Sequence, residues 1–240
     1  PFDRSQAGTV ALFHFDEGTG VNTAGENPSS ENAYNVAFNL GGSPSASWIS
    51  GPSGFGNALD FSGVSGESVA YSTGGSFSEL AIADGGTVEM WINVDAFPTA
   101  GESVVIQEAE GFSWQIKVRA DGGLGYGFKD KNSTWGTGFY GAANSMSTGS
   151  WHHIGIVRDI IPDAVGSDTG DMFVGMYIDG QLYGEKAYES IVLPQSGGQV
   201  RLGAFNGIAT SALFDGSIDE LRISSVNQVP EPATVALLSL

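Results

Sequence analysis

Acidic side chains at two distant places in the chain are the residues with the clearest chemical potential. In the segment 214–223, apolar and polar residues alternate from Ser217 onward, which is the period of a strand that follows an Asp-Gly turn. This alternation puts Asp219 on the same face as Leu221 and Ile223. A carboxylate that faces an apolar interior is unfavourable unless a cation or several hydrogen-bond donors compensate its charge. We therefore expect Asp219 either to bind a cation or to cap backbone amides.

The second acidic place lies some two hundred residues earlier, at Asp16. Residues 8–15 are predicted to form the first strand, and their apolar side chains at both odd and even positions indicate burial on both faces. We interpret this stretch and the segment 214–223 as the first and last strands of one sandwich, side by side, with a cation shared between them. The element that must position these acids is therefore a sheet that joins the two ends of the chain.

Composition predicts an all-β fold. The chain has 240 residues, of which 41% are hydrophobic and 36 are glycine, and the glycines are scattered between short apolar runs. This pattern indicates many turns and short strands, and residues 87–94 form the clearest of them. We expect about a dozen strands in two packed antiparallel sheets, a β-sandwich. The segment 18–47 is predicted to be a surface excursion with little regular structure.

Charge and cysteine content exclude several classes of function. Asp and Glu number 27 against 9 Lys and Arg, which gives a formal net charge of −18, so no nucleic acid partner is expected. The absence of cysteine rules out a disulfide framework and thiol catalysis, although it does not exclude export. The acidic surface is typical of a secreted protein, and solubility alone explains most of these carboxylates.

Histidine and serine give no support for a catalytic centre. Alternation along the strand places His152 and His153 on opposite faces, so they cannot bind one metal ion together. His14 is the only other histidine, and we therefore expect packed histidines rather than a zinc site. The chain also lacks the Gly-x-Ser-x-Gly motif of a nucleophile elbow.

Paired carboxylates would indicate a glycosidase, because those enzymes use two acids that face the same cleft. Glu89 shares its face with Thr87, Trp91 and Asn93, without a second acid. The segment 108–110 has two glutamates, but it precedes Gly111 at an expected turn. The sequence therefore predicts a protein that is not an enzyme, with a glycoside hydrolase as the alternative.

Three aromatic residues in a glycine-rich segment are candidates for ligand binding: Trp135, Phe139 and Tyr140. Flat rings in a sheet groove bind sugars through their apolar faces, with neighbouring polar groups fixing the orientation. The alternative is that these rings seal the edge of the sandwich.

Six short segments together resemble the laminin G-like, concanavalin A-like jelly-roll domains of bacterial surface proteins. The segments are 11–18, 54–61, 87–92, 151–154, 177–180 and 214–223. The resemblance covers residues 8–225, which we assign to one jelly-roll domain after an N-terminal lead at 1–7 and before a tail at 226–240. It implies a structural calcium ion where the first and last strands meet. The side chain of Asp219 would be one ligand, and carbonyl oxygens near Asp16 and near Gly56 would supply others, although Asp219 as a loop cap remains the alternative.

The tail resembles the beginning of a PEP-CTERM sorting signal, on the residues Pro230, Glu231 and Pro232. In that family the motif precedes a membrane-spanning segment and a basic cluster, and an exosortase processes the tail. Too few residues follow Pro232 for a span of ~20 residues, so we expect a truncated form of the signal; an ordinary proline-rich terminus is the alternative. This resemblance implies a Gram-negative bacterium that exports the protein.

Taken together, these features predict an exported, non-catalytic recognition or adhesion module of the cell surface or extracellular matrix. Its expected partner is a glycan or a surface protein, and calcium is the expected cofactor. A purely structural matrix protein is a further alternative, because a fold alone does not fix the ligand.

Overall fold

The structure is a computed structural model. It describes residues 8–18, 22–24, 37–39, 47–64, 70–73, 85–108, 114–132, 134–136, 138–194, 200–204 and 212–225. Within these residues all regular secondary structure is β, in sixteen strands. The strands are β1 (Thr9–Phe13), β2 (Asn22–Ala24), β3 (Ala37–Asn39), β4 (Ser47–Ser50), β5 (Asn57–Ser62), β6 (Ala70–Thr73), β7 (Gly85–Val94), β8 (Glu102–Glu108), β9 (Gln115–Arg119), β10 (Leu124–Gly127), β11 (Phe139–Tyr140), β12 (Trp151–Pro162), β13 (Thr169–Ile178), β14 (Gln181–Val192), β15 (Val200–Leu202) and β16 (Asp215–Ser224).

The strands form two sheets of eight, and every pairing between named strands is antiparallel. The first sheet has the order β14-β13-β12-β7-β16-β5-β4, with β1 also paired to β16. The second sheet has the order β11-β10-β9-β8-β15-β6-β3-β2. The expected all-β, two-sheet sandwich is confirmed.

The last strand, β16, joins both ends of the chain within the first sheet. One edge of β16 pairs with β7. Its other edge is shared, since residues 215–218 pair with β5 and residues 221–224 pair with β1. The sequence interpretation of the first and last strands as neighbours is therefore correct, and the point where β5 gives way to β1 is the Asp219–Glu220 pair.

Alternating apolar side chains of both sheets fill the space between them. Val88, Met90 and Ile92 of β7 and Ile116 and Val118 of β9 all belong to this buried cluster. Burial of each such side chain contributes about 1.5–3 kcal/mol, so this alternation drives the two sheets together. The polar residues between them are left for the outer faces of the two sheets.

The segment predicted to be irregular, 18–47, contains the short strands β2 and β3 at the end of the second sheet. Each has three residues, which is shorter than the four to eight over which an alternating pattern can be recognised. This difference explains part of the gap between the dozen strands expected and the sixteen found.

Among the described residues, no helix is long and apolar enough to cross a membrane. The residues of the expected sorting motif, Pro230, Glu231 and Pro232, lie outside the described residues.

Candidate functional site

Asp219 lies in a β-bulge of β16 and not in regular strand. The pairing of β16 with β7 shifts register between Asp219 and Arg222, and Glu220 has a φ of 50°. Such a bulge adds one residue to a strand, and as a result Ile218 and Leu221 both enter the core. Asp219 therefore does not share a face with Leu221, and the strict alternation expected from the sequence is wrong at this point.

One oxygen of the Asp219 side chain has no hydrogen-bond partner. Its Oδ1 accepts the N–H of Glu220 at 2.8 Å, whereas its Oδ2 is buried and accepts no hydrogen bond. Burial is the largest cause that raises the pKa of Asp219 to about 8, and the carboxylates of Glu220 and Asp16 act in the same direction. A buried carboxylate oxygen without a donor is costly, so this position requires a proton or a cation.

The turn between β4 and β5 lies directly against this oxygen. A Cβ atom on Gly51 would lie 2.6 Å from Asp219 Oδ2, 3.1 Å from the carbonyl oxygen of Asn57 and 3.2 Å from that of Gly56. These three oxygen atoms thus lie close to one another beside Gly51, where a larger residue would collide with Asp219.

Asp16 holds this turn in place. The backbone N–H of Asn57 donates to Asp16 Oδ1 at 3.0 Å, and the Asn57 side-chain amide donates to the carbonyl oxygen of Asp16 at 3.0 Å. Gly56 has a φ of +88°, and a Cβ atom there would collide with the Asp16 carboxylate. The structure therefore brings Asp16, Gly56 and Asp219 together, and the calcium ion that the resemblance implies there stays a prediction.

The oxygens around Asp219 suit a hard cation. Calcium takes six to eight oxygen ligands from carboxylates, carbonyls and water. In the described part of the chain, no group of three or more His, Asp or Glu side chains lies close enough to hold a metal ion. A cation next to Asp219 would therefore depend on backbone carbonyls and water for most of its coordination.

A second polar region lies on the outer face of the second sheet. On β9, Ile116 and Val118 point into the core, so Lys117 and Arg119 point outward. Pairing with β8 places Glu102 opposite Arg119, and pairing of β10 with β11 places Tyr140 opposite Gly125. We call the surface formed by Glu102, Lys117, Arg119 and Tyr140 the outer groove.

The side chains of the outer groove are held by one another. Lys117 Nζ donates to Glu102 at 2.6 Å, and Arg119 forms an ion pair with Asp121 and donates to the carbonyl oxygen of Gly141 at 3.1 Å. The Arg119 guanidinium lies over the Tyr140 ring, 4.8 Å from its centroid. Desolvation and a hydrogen bond to Glu102 raise the pKa of the Tyr140 hydroxyl.

Two adjoining cavities follow this surface. The larger, of about 530 Å³, is lined by Glu102, Arg119, Asp121 and Tyr140, among others. The smaller, of about 240 Å³, is lined by Glu102, Lys117, Gln115 and Trp135, among others. Glu102 lines both cavities, so the two adjoin at this residue, and we include both in the outer groove.

The three aromatic candidates lie in different environments. Tyr140 is 49% exposed and Trp135 is 46% exposed, and both line the outer groove. Lys129 Nζ lies 5.0 Å from the centroid of the Trp135 ring. Phe139 is opposite Tyr126 on the other face of β11 and packs against the core. The groove therefore contains two of the three rings.

The acids considered for glycosidase chemistry do not face a cleft. Glu89 is completely buried, donor groups of Arg222 bond to its Oε1, and His153 Nε2 lies 3.3 Å from its Oε2. Glu108 is also completely buried, and residues 109 and 110 lie outside the described residues. A carboxylate that is completely buried cannot reach a substrate, and an ion pair compensates the charge of Glu89.

Ser147, His152 and Asp179 form a chain of hydrogen bonds. His152 Nδ1 lies 2.8 Å from Asp179 Oδ2, and His152 Nε2 lies 3.1 Å from Ser147 Oγ. This is the order of nucleophile, base and orienting acid. However, the N–H of Ser147 donates to His152, and the N–H of Gly149 donates to Val94. Because these N–H groups are already used, they cannot form an oxyanion hole, and the arrangement fixes the loop before β12.

The groove residues Glu102, Lys117 and Arg119 were not identified from the sequence. The signal was present, since polar residues alternate with apolar ones from Gln115 to Arg119. What the sequence lacks is the long-range pairing that sets Tyr140 and Trp135 beside them.

Comparisons with solved structures show the same fold in binding domains. The receptor binding domain of botulinum neurotoxin mosaic serotype C/D is 15% identical, with a TM-score of 0.63 over 92% of this chain and 48% of that chain. The botulinum neurotoxin serotype D ligand binding domain, in complex with N-acetylneuraminic acid, is 16% identical, with a TM-score of 0.63. That match covers 92% of this chain and 48% of that chain. The present chain thus spans about half the length of these toxin domains.

A third structure is matched over nearly its full length. Domain 4 of AbnA, a GH43 extracellular arabinanase from Geobacillus stearothermophilus, in complex with arabinotriose, is 18% identical, with a TM-score of 0.60. The match covers 93% of this chain and 95% of that chain. No curated protein sequence matches this chain significantly.

The family model described as the concanavalin A-like lectin/glucanases superfamily, of the Laminin_G_3 type, matches residues 64–233. That match extends over more than half of the chain, including both β7 and the bulged strand β16. The two antiparallel sheets of this chain agree with the fold of the solved structures described above. The chain belongs to the concanavalin A-like lectin/glucanases superfamily.

Proposed function

We propose that this protein is a non-catalytic carbohydrate recognition module that binds glycan in the outer groove. The observation that carries the proposal is the combination, on one sheet face, of exposed aromatic rings with fixed hydrogen-bonding side chains. Tyr140 and Trp135 offer apolar surface, and Glu102, Lys117 and Arg119 offer acceptors and donors to sugar hydroxyls. The partners that Lys117 and Arg119 already have limit the conformational entropy lost on binding.

The comparisons support binding rather than catalysis. The solved structures of similar fold include a domain in complex with arabinotriose and a domain in complex with N-acetylneuraminic acid. Both are described as domains of larger proteins, and the second as a ligand binding domain. In the present chain, Glu102 forms an ion pair with Lys117 and Asp121 forms one with Arg119, so both acids of the groove already have a basic partner.

Binding is tested by titration of glycans into the protein and its Tyr140→Ala and Trp135→Ala variants. We expect each variant to weaken binding by about fivefold or more, because stacking on an aromatic ring contributes on the order of 1 kcal/mol. Phe173→Ala removes an exposed ring of β13 in the first sheet and serves as the control. Equal affinity of all four proteins would exclude the groove, and release of reducing sugar would favour the glycoside hydrolase alternative.

We also propose a structural calcium ion between the first and last strands of the domain. Asp219 Oδ2 and the carbonyl oxygens of Gly56 and Asn57 would bind it, and Asp16 would keep the turn in position. Such an ion compensates the buried charge and fixes the edge where β16 meets β5 and β1; it supplies no catalytic chemistry.

A thermal melt with calcium and with excess chelator tests this site. A ligand at a hundred times its dissociation constant adds about 2.7 kcal/mol to stability, which gives a clear rise in Tm. We expect Asp219→Ala to abolish the rise, and Glu185→Gln, at an exposed acid of β14, to retain it. An unchanged Tm in the wild-type protein would leave Asp219 as a capping residue.

Export to the cell surface or extracellular matrix of a Gram-negative bacterium is part of the proposal. It rests on the resemblance of residues 229–240 to the start of a PEP-CTERM signal, for which an exosortase would be the processing partner. A surface protein is the alternative partner to a glycan in an adhesion role. Replacement of Pro230, Glu231 and Pro232 by alanine, followed by cell fractionation, tests it: unchanged delivery to the surface would contradict the sorting role.

A further inference from the structure

The basic residues of this chain are concentrated on the face that carries the outer groove. The chain has only 9 Lys and Arg against 27 Asp and Glu. Lys117 and Arg119 point outward from β9, and Arg201 does so from β15, since its neighbours Val200 and Leu202 are in the core. Lys129, which follows β10, lies over the Trp135 ring that lines the groove. Four of the nine basic residues thus share one sheet face in a strongly acidic protein.

Lys117 and Arg119 retain hydrogen-bonding capacity. Lys117 has three N–H donors and directs one to Glu102. Arg119 has five, and its bonds to Gly141 and Asp121 use two of them. The acids therefore orient the two cations without saturating them, and the remaining donors lie beside the larger cavity or the smaller one.

Each exposed ring of the groove is accompanied by a cation. Arg119 lies over Tyr140, and Lys129 lies over Trp135. A ligand that matches both members of such a pair must present an apolar ring face and, at its edge, a negative charge. A neutral sugar offers only the first, whereas a sugar that carries a carboxylate offers both.

We propose that the ligand of the outer groove is an acidic saccharide, whose carboxylate lies next to Lys117 and Arg119. This inference rests on the proposed function. The distribution of charge explains why such a ligand would bind at this face of the protein. With a formal charge of −18, most of the protein surface repels an anion, and the groove is the described surface where basic side chains and exposed rings coincide.

The proposal is tested with an array of acidic and neutral glycans, followed by titration with oligogalacturonate and with its methyl-esterified form. The two titrants have the same sugar chain, but esterification removes the charge of each carboxylate and adds a methyl group to it. We expect the array to select acidic glycans, and the charged titrant to bind about tenfold more tightly at low salt. The difference should shrink as salt is raised, because screening weakens the contact.

Lys117→Gln is the informative variant, and Lys186→Gln is its matched control. Lys186 also lies over a tyrosine ring, that of Tyr188, but on β14 of the first sheet. We expect Lys117→Gln to reduce the preference for the charged titrant to about threefold, because Arg119 is still present, and Lys186→Gln to leave it unchanged. Thermal melts of both variants identify any loss of folding.

The outcomes separate this inference from the function on which it rests. Selection of neutral glycans with Tyr140-dependent affinity would overturn the acidic ligand and leave carbohydrate recognition standing. Equal affinity for the charged and esterified titrants, with no effect of Lys117→Gln, would have the same meaning. Absence of any bound glycan on the array would overturn both.

Discussion

At the scale of single residues, the buried polar groups of the first sheet decide how stability responds to pH. The pKa of Asp219 is about 8 in the folded, cation-free protein, against an ordinary value of 3.8. Between these two values the folded state binds more protons than the unfolded state, so stability falls as pH rises.

We expect the chelated protein to lose stability from about pH 4 to about pH 8, by at most ~1.4 kcal/mol for each pH unit. Urea unfolding at a series of pH values measures this slope. Asp219→Asn should flatten it, because the amide does not titrate. Excess calcium should also reduce this slope, since a bound cation stabilises the ionised form of Asp219. A slope unchanged in Asp219→Asn would assign the pH dependence to other groups.

Glu89 gives a second prediction at this scale. Its charge is completely buried against Arg222 and His153. Removal of one partner of a buried ion pair leaves an uncompensated charge and typically costs about 3–5 kcal/mol. We expect Glu89→Ala to lose stability of that order in chemical denaturation.

Glu102→Ala is the comparison for Glu89, because Glu102 is 23% exposed in its pair with Lys117. Partly exposed pairs contribute about 1 kcal/mol or less. Similar losses in the two variants would show that solvent reaches Glu89 and would reopen its candidacy as a catalytic acid.

At the scale of elements, the turn between β4 and β5 determines whether the oxygen cluster around Asp219 forms. Substitutions at two glycines of this turn distinguish the cost of backbone strain from the cost of a steric collision. Gly54 and Gly56 have nearly the same φ, +89° and +88°, but a Cβ at Gly54 would meet nothing within 4 Å. A Cβ at Gly56 would collide with Asp16.

We expect Gly54→Ala to cost about 1–2 kcal/mol, the strain of a left-handed backbone. Gly56→Ala should cost more and should also weaken the response of Tm to calcium, because Asp16 must move. Melts of both variants with calcium and with chelator provide the measurement. Equal losses with an unchanged calcium response would separate Gly56 from the proposed site.

Local alternation determined how much of this architecture was predictable. The alternation of β7 predicted its buried face correctly, since Val88, Met90 and Ile92 lie in the core. At β16 the same reasoning failed, because a bulge at Glu220 changes the face of every later residue and has no signature in a single sequence. The meeting of Asp16, Gly56 and Asp219 was anticipated through family resemblance, which carries information on register that periodicity lacks.

The outer groove shows a different limit of prediction from local alternation. The outward direction of Lys117 and Arg119 follows from alternation, but their proximity to Tyr140 depends on how β8, β9, β10 and β11 pair. A pattern of residues along one strand does not specify which ring lies beside it on another.

At the scale of the whole molecule, a formal charge of −18 on 240 residues implies repulsion that the fold must overcome. We expect added sodium chloride to raise Tm at saturating calcium, because the Debye length shortens from ~30 Å at 0.01 M to about 8 Å at 0.15 M. Calorimetry across this range provides the measurement. A falling Tm would mean that surface pairs such as Lys131–Asp168 contribute more than the repulsion costs.

The pairing of β1 with β16 also sets the order in which this protein can fold during its synthesis. The strand that lies between β7 and both β1 and β5 is the last of the described strands to be made. Until it arrives, the nascent chain has an open sheet, and Glu89 is without Arg222. Contacts of such large sequence separation slow folding, so the domain closes only after residues 215–224 have left the ribosome. The domain therefore cannot be completed before β16 is made. A chain that ends before residue 215 contains most of the strands but lacks the one that pairs with β1, β5 and β7.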